Sequence, residues 1–250
     1  MNPSVATPPP LPRPQLSSPE PDPADLEPVR GIGGTIEALL RRPGGVLHQL
    51  HQSDGSRLVA VMILVATLAA AAYGFIVGTF SGGSQLWAAP LKISAGLMFC
   101  GVICLPSLYV FACLSGSTAR FVDVAGMVAG LMALMTMLLV SFAPVAWVFS
   151  QSTESLVSMG TLHLAFWLIA TYFGARFLYR GMARLGARGE GAFYFWICLF
   201  IVVALQMTTA LRPIIGPAGP LLPAVKRSFL QHWSEQLRSE SAKDNPAANP

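Results

Sequence analysis

Few side chains in this chain could do chemistry, and those few lie in apolar surroundings. Gln206 is followed by Thr208 and Thr209 in one apolar stretch, and His163 stands alone in another. An amide, two hydroxyls and an imidazole so placed could line a polar pathway, because polar groups inside a membrane are costly and mark function by default. They could equally bond one helix to another, at about 0.6–2 kcal/mol per hydrogen bond. A proton shuttle at His163 would need an acid as relay, and no Asp or Glu lies inside any of these stretches. A packing or interface histidine is the plainer reading. Asp123 and Lys92 sit at the edges of two stretches. Cys100, Cys104, Cys113 and Cys198 lie inside them and read as small polarisable packing residues. Cys100 and Cys104 share a helix face, but two thiols are too few for a metal site. No P-loop, HExxH or intramembrane aspartate pair is present. An enzyme acting on lipid would need an acid, base or nucleophile cluster that these residues do not assemble. The expectation is therefore a protein that is not an enzyme and holds no cofactor or metal.

The elements that must position these groups are apolar runs. Five occur, at 58–80, 93–114, 124–149, 156–175 and 192–211, with no Asp, Glu, Lys or Arg in any of them. Each exceeds the roughly 18 apolar residues needed to cross a hydrocarbon core. A mid-bilayer charge would cost about 2.5–3.5 kcal/mol, so all five can insert. The chain is 53% hydrophobic and 11% charged over 250 residues, whereas soluble domains carry about 25% charged residues. The fold class expected is an all-α polytopic bundle of five spans with short loops. The net charge of +4 reflects arginines beside the spans, which fits topology signalling and contact with the lipid bilayer better than nucleic acid.

Pro106 and Pro144 interrupt the second and third runs and should kink their helices, freeing carbonyls for some neighbour to satisfy. Gly74 with Gly78, and Gly126 with Gly130, match the small-residue spacing that lets helices approach closely, within the bundle or in a homo-oligomer. Residues 1–30 are proline-rich with one PxxP match, from Pro9 to Pro12, and read as a disordered tail, with an SH3-type ligand as the sharper alternative. The chain opens on prolines instead of an apolar core, so the first span is expected to serve as its own insertion signal. In 31–57, Ile36, Leu39, Leu40, Leu47 and Leu50 form one helical stripe broken at Pro43-Gly44-Gly45, as expected of two short amphipathic pieces lying on the membrane surface. A second interfacial helix is expected within 212–238, with Phe229 and Trp233 on its apolar face, and a disordered tail in 239–250. Arg212 is expected to snorkel from the end of the fifth run.

Positive charge orients the spans. Arg41, Arg42 and Arg57 precede the first, Arg120 follows the second, and Arg176, Arg180, Arg184 and Arg188 follow the fourth. All agree with a cytoplasmic N-terminus, and five spans then put the C-terminus outside. Lys226 and Arg227 argue the other way. A pre-membrane segment carrying Arg41-Arg42-Pro43 ahead of five closely spaced spans, from Ile36 to about Ile215, resembles Yip-domain membrane proteins. That resemblance implies a cytoplasmic N-terminus and five spans. Eukaryotic members bind small GTPases and help shape or traffic early secretory membranes. The Ala-, Gly- and Arg-rich segments here point to a bacterial relative in the inner (plasma) membrane. Two functions are open: a non-enzymatic scaffold or accessory protein binding other membrane proteins, and a small permease with a midplane polar site at Gln206 and His163.

Overall fold

Long apolar stretches in lipid have no water to satisfy their backbone, so they close their hydrogen bonds within a helix. The computed structural model describes residues 28–52, 55–81, 83, 85–152, 156–187 and 190–210. These residues form seven helices and no strand: α1 (Gly31–Arg41), α2 (Pro43–Leu50), α3 (Gly55–Ser81), α4 (Gln85–Leu114), α5 (Phe121–Ser152), α6 (Leu156–Arg184) and α7 (Glu190–Ala210). Four of them, α3 to α6, are long and apolar enough to cross a membrane. In α7 the apolar stretch, Gly191–Met207, is shorter. The proline-rich tail and the expected C-terminal helix lie outside the described residues.

Helix α5 is the centre. It packs on α3, α6 and α4, while α3 also packs along α4, and α7 lies on α4. Its Met127, Leu131, Met135 and Ala146 are fully buried. The close approaches fall at glycines. A Cβ on Gly74 would meet the Pro90 backbone of α4, and one on Gly130 would meet the Phe177 ring of α6. Gly78 is buried as well. Pro106 and Pro144 sit within continuous helices on outward faces. Beside Pro106, the indole N–H of Trp196 on α7 donates to the Cys104 carbonyl (3.0 Å) and to Ser107 Oγ (3.2 Å). Ser107 donates to the same carbonyl at 2.8 Å.

Several helix ends differ from the hydropathy limits. The fourth apolar run ends at 175, but α6 continues through Arg184. Arginine is a good helix former, and Arg176, Arg180 and Arg184, four residues apart, make one exposed stripe on this extension. Helix α4 likewise starts at Gln85, ahead of the apolar run at 93–114, so Trp87, Pro90 and Lys92 lie within the helix. Lys92 is buried, only 4% exposed. The pre-membrane break falls at Arg42, and Pro43 opens α2, a first-turn position where its missing N–H costs nothing.

Candidate functional site

The described polar contacts between elements concentrate at one end of the bundle, where α2 meets the start of α5 and the end of α6. Three glycines make the opening. Gly55 begins α3 directly against the Leu50 carbonyl. Gly126 on α5 leaves room for the Leu50 side chain, and Gly181 on α6 lies where a Cβ would stand 2.8 Å from Leu47 and 2.5 Å from Met127 Sδ. Helix α2 therefore does not simply lie on a lipid surface as its amphipathic pattern suggested. It plugs the bundle, with Val46 and Leu50 buried, and α1 follows with Ala38 and Leu39 buried while Ile32 and Leu40 face outward.

Charged groups latch this plug. Asp123, third residue of α5, reaches back to accept the Arg120 backbone N–H at 2.9 Å, which satisfies one of the orphan donors at a helix start and places a negative charge at the positive end of the helix dipole. The same carboxylate takes the Arg120 guanidinium in a two-pronged contact, Nε to Oδ2 at 3.2 Å and Nη2 to Oδ1 at 3.0 Å. That hydrogen bonding raises the Arg120 pKa further above its ordinary value. Arg120 Nη2 also donates to the His51 carbonyl at 3.0 Å, and His51 Nδ1 stands 3.3 Å from Asp123 Oδ2. On the other flank Arg184 Nη1 donates to the Gly44 carbonyl at 2.8 Å, so both ends of α2 are held. The α4–α5 turn joins in: Ser117 Oγ and the Thr118 N–H both donate to the Leu185 carbonyl, at 3.0 and 3.3 Å. Asp123 is buried because it is spent on these contacts.

The other residues expected to do chemistry fall elsewhere. His163 on α6 is bonded through Nδ1 to the Tyr73 hydroxyl of α3, the rings meeting edge-on at 5.6 Å. Its Nε2 is buried and has no hydrogen-bond partner among the described residues. Gln206 is exposed on α7. Thr208 and Thr209 lie in the last turn of α7. The Cys100 thiol contacts the Phe200 carbonyl at 3.8 Å, and Cys113 and Cys198 are exposed. Arg41 pairs with Glu37 at 3.6 Å on the surface, Arg57 is exposed at the start of α3, and Arg188 lies outside the described residues. Sequence reasoning missed the Asp123–Arg120–His51 latch and Tyr73. The spacing of Arg120 and Asp123 ahead of an apolar run could have flagged a helix start; nothing local could have paired either with His51.

Fold and site together define a helical membrane bundle whose own pre-membrane hairpin closes one end. Comparison with protein-family models, curated proteins and solved structures gives no match.

Proposed function

We propose that this chain is a non-enzymatic scaffold or accessory protein of the Yip-domain type, a five-span bundle in a bacterial inner membrane with its N-terminus in the cytoplasm, which organises other membrane components. The observation that carries this reading is the latched hairpin. Asp123, Arg120, His51 and Arg184 hold α2 on the arginine-rich end, and α1 turns Ile32 and Leu40 outward beside it. A preformed surface with apolar anchors and nearby arginines suits a membrane-protein partner more than a solute. The arginine stripe of α6 and Arg120 lie at this same end, which supports its cytoplasmic placement. The fifth span, α7, is supported by its antiparallel register along α4: Phe195 meets Phe111, Trp196 meets Cys104 and Ser107, and Phe200 meets Cys100.

A crosslinked pull-down of the tagged full-length protein from native membranes tests this. A reproducible stoichiometric partner, retained by Gln206→Leu, is the expected result; a lone chain or a homo-oligomer counts against it. One observation favours the permease reading, the buried Nε2 of His163 beside Tyr73. If the protein in vesicles moves protons or a small solute and a folded His163→Phe variant does not, the scaffold reading fails.

A further inference from the structure

A cavity of about 440 Å³ lies between α1, α2 and the first turns of α3, within the roughly 300–1,000 Å³ of small-molecule sites. Its edge is fixed by Gln49, whose side chain accepts the Val29 N–H (2.7 Å) and donates to the Val29 carbonyl (3.1 Å). This clamp sets Arg30 and Gly31 on the rim, and Arg57 lines it from α3. The cations at this end of the molecule are thereby sorted. Arg41 is paired with Glu37, Arg120 with Asp123, and Arg184 with the Gly44 carbonyl. Arg30 and Arg57 make no ion pair or hydrogen bond among the described residues. Among the described residues no carboxylate lines the cavity, and Thr35 and Gln52 contribute neutral polar groups. The first turn of α1 starts at the same rim without an acidic residue or a side-chain cap, so its amide dipoles add to the positive potential.

Below the arginine the wall turns apolar. Arg57, Val61, Leu64 and Leu68 fall at i, i+4, i+7 and i+11 of α3 and so share one stripe. Val61 lines the cavity, and Leu64 and Leu68 face outward. A cationic rim one turn above an outward apolar stripe, at the first turn of a membrane helix, matches the order of groups in a phospholipid: phosphate, glycerol, acyl chain.

We infer that this cavity binds a phosphate-bearing anion, supplied as the head group of an anionic membrane phospholipid whose acyl chain runs down the Val61–Leu64–Leu68 stripe. The test is native mass spectrometry of the full-length protein in mild detergent, titrated with phosphatidylglycerol, with phosphatidylcholine and with inorganic phosphate. Wild type should retain one phosphatidylglycerol in preference to phosphatidylcholine. Arg57→Gln and Arg30→Gln should each weaken retention about fivefold, and Arg41→Gln, which is outside the cavity, by less than about twofold. Equal losses from Arg41→Gln and Arg57→Gln would show diffuse attraction to the basic end and overturn the site, as would equal retention of both lipids. Displacement of the lipid by equimolar inorganic phosphate would overturn the lipid assignment and make the ligand a free anion.

Discussion

At the residue scale the balance at Asp123 decides whether the hairpin stays docked. Its side chain is 3% exposed, while Arg120 and His51 are each 57% exposed. A pair so lopsided gives little Coulomb energy through its solvated partners; the larger contribution is geometric, a cap for α5 and two ties to His51. Asp123→Ala removes the cap and the direct contact with His51, and leaves only the Arg120 hydrogen bond to the His51 carbonyl. The expected cost is that of a lost N-terminal cap, about 0.5–2 kcal/mol, read as a lower thermal midpoint in detergent together with faster amide exchange in α2. Arg41→Ala, which breaks the exposed pair with Glu37, is the contrast, since such surface pairs contribute about 0–1 kcal/mol. If both variants lower the midpoint equally and leave α2 exchange unchanged, Asp123 does not hold the hairpin.

At the scale of elements the docking rests on missing side chains. Gly126→Ala places a Cβ into Leu50 and Val59, and overpacking of this kind costs about 1–3 kcal/mol. Gly33→Ala in α1 meets nothing within 4 Å, and should stabilise α1 by about 0.5–1 kcal/mol, because alanine loses less backbone freedom than glycine in a helix. Opposite signs in thermal unfolding are the expected outcome; a neutral Gly126→Ala would mean that α2 is free to lift away. These elements also show what was legible in the sequence. Charge-free runs identified the helices of the bundle because charge exclusion is a property of the bilayer that each run carries by itself. Their ends were not legible: hydropathy reports where lipid stops, and α6 runs on through Arg176, Arg180 and Arg184 because arginine supports a helix in water as well. The GxxxG spacing at Gly126 marked a place of close approach, but its occupant, Leu50, is 76 positions away on an amphipathic segment whose pattern suits lipid and protein equally. His163 was readable as polar and intramembrane; Tyr73, an ordinary tyrosine in an alanine-rich run, carried no local signal that it would meet His163.

At the scale of the whole molecule the open quantity is the number of crossings, and α7 decides it. Its apolar stretch, Gly191–Met207, covers about 26 Å at 1.5 Å per residue, short of a hydrocarbon core of about 30 Å. Its contacts are more telling than its length. Phe195, Trp196 and Phe200 face Phe111, Cys104 and Cys100 in turn, so α7 descends as α4 ascends and begins at the end where Tyr179 of α6 meets Phe193. Continued for two more turns, that register would bring Met207 opposite the early turns of α4. That register supports the proposed fifth crossing. The chain termini should then lie in opposite compartments, with the N-terminus beside the arginines. Reporter fusions at Met1 and after Pro250, scored for cytoplasmic and external activity in the same cells, separate the cases. Opposite sides are expected. Both termini on one side would mean that α7 turns back before crossing, and would explain Lys226 and Arg227 as ordinary cytoplasmic charges, since positive residues near a span are retained inside.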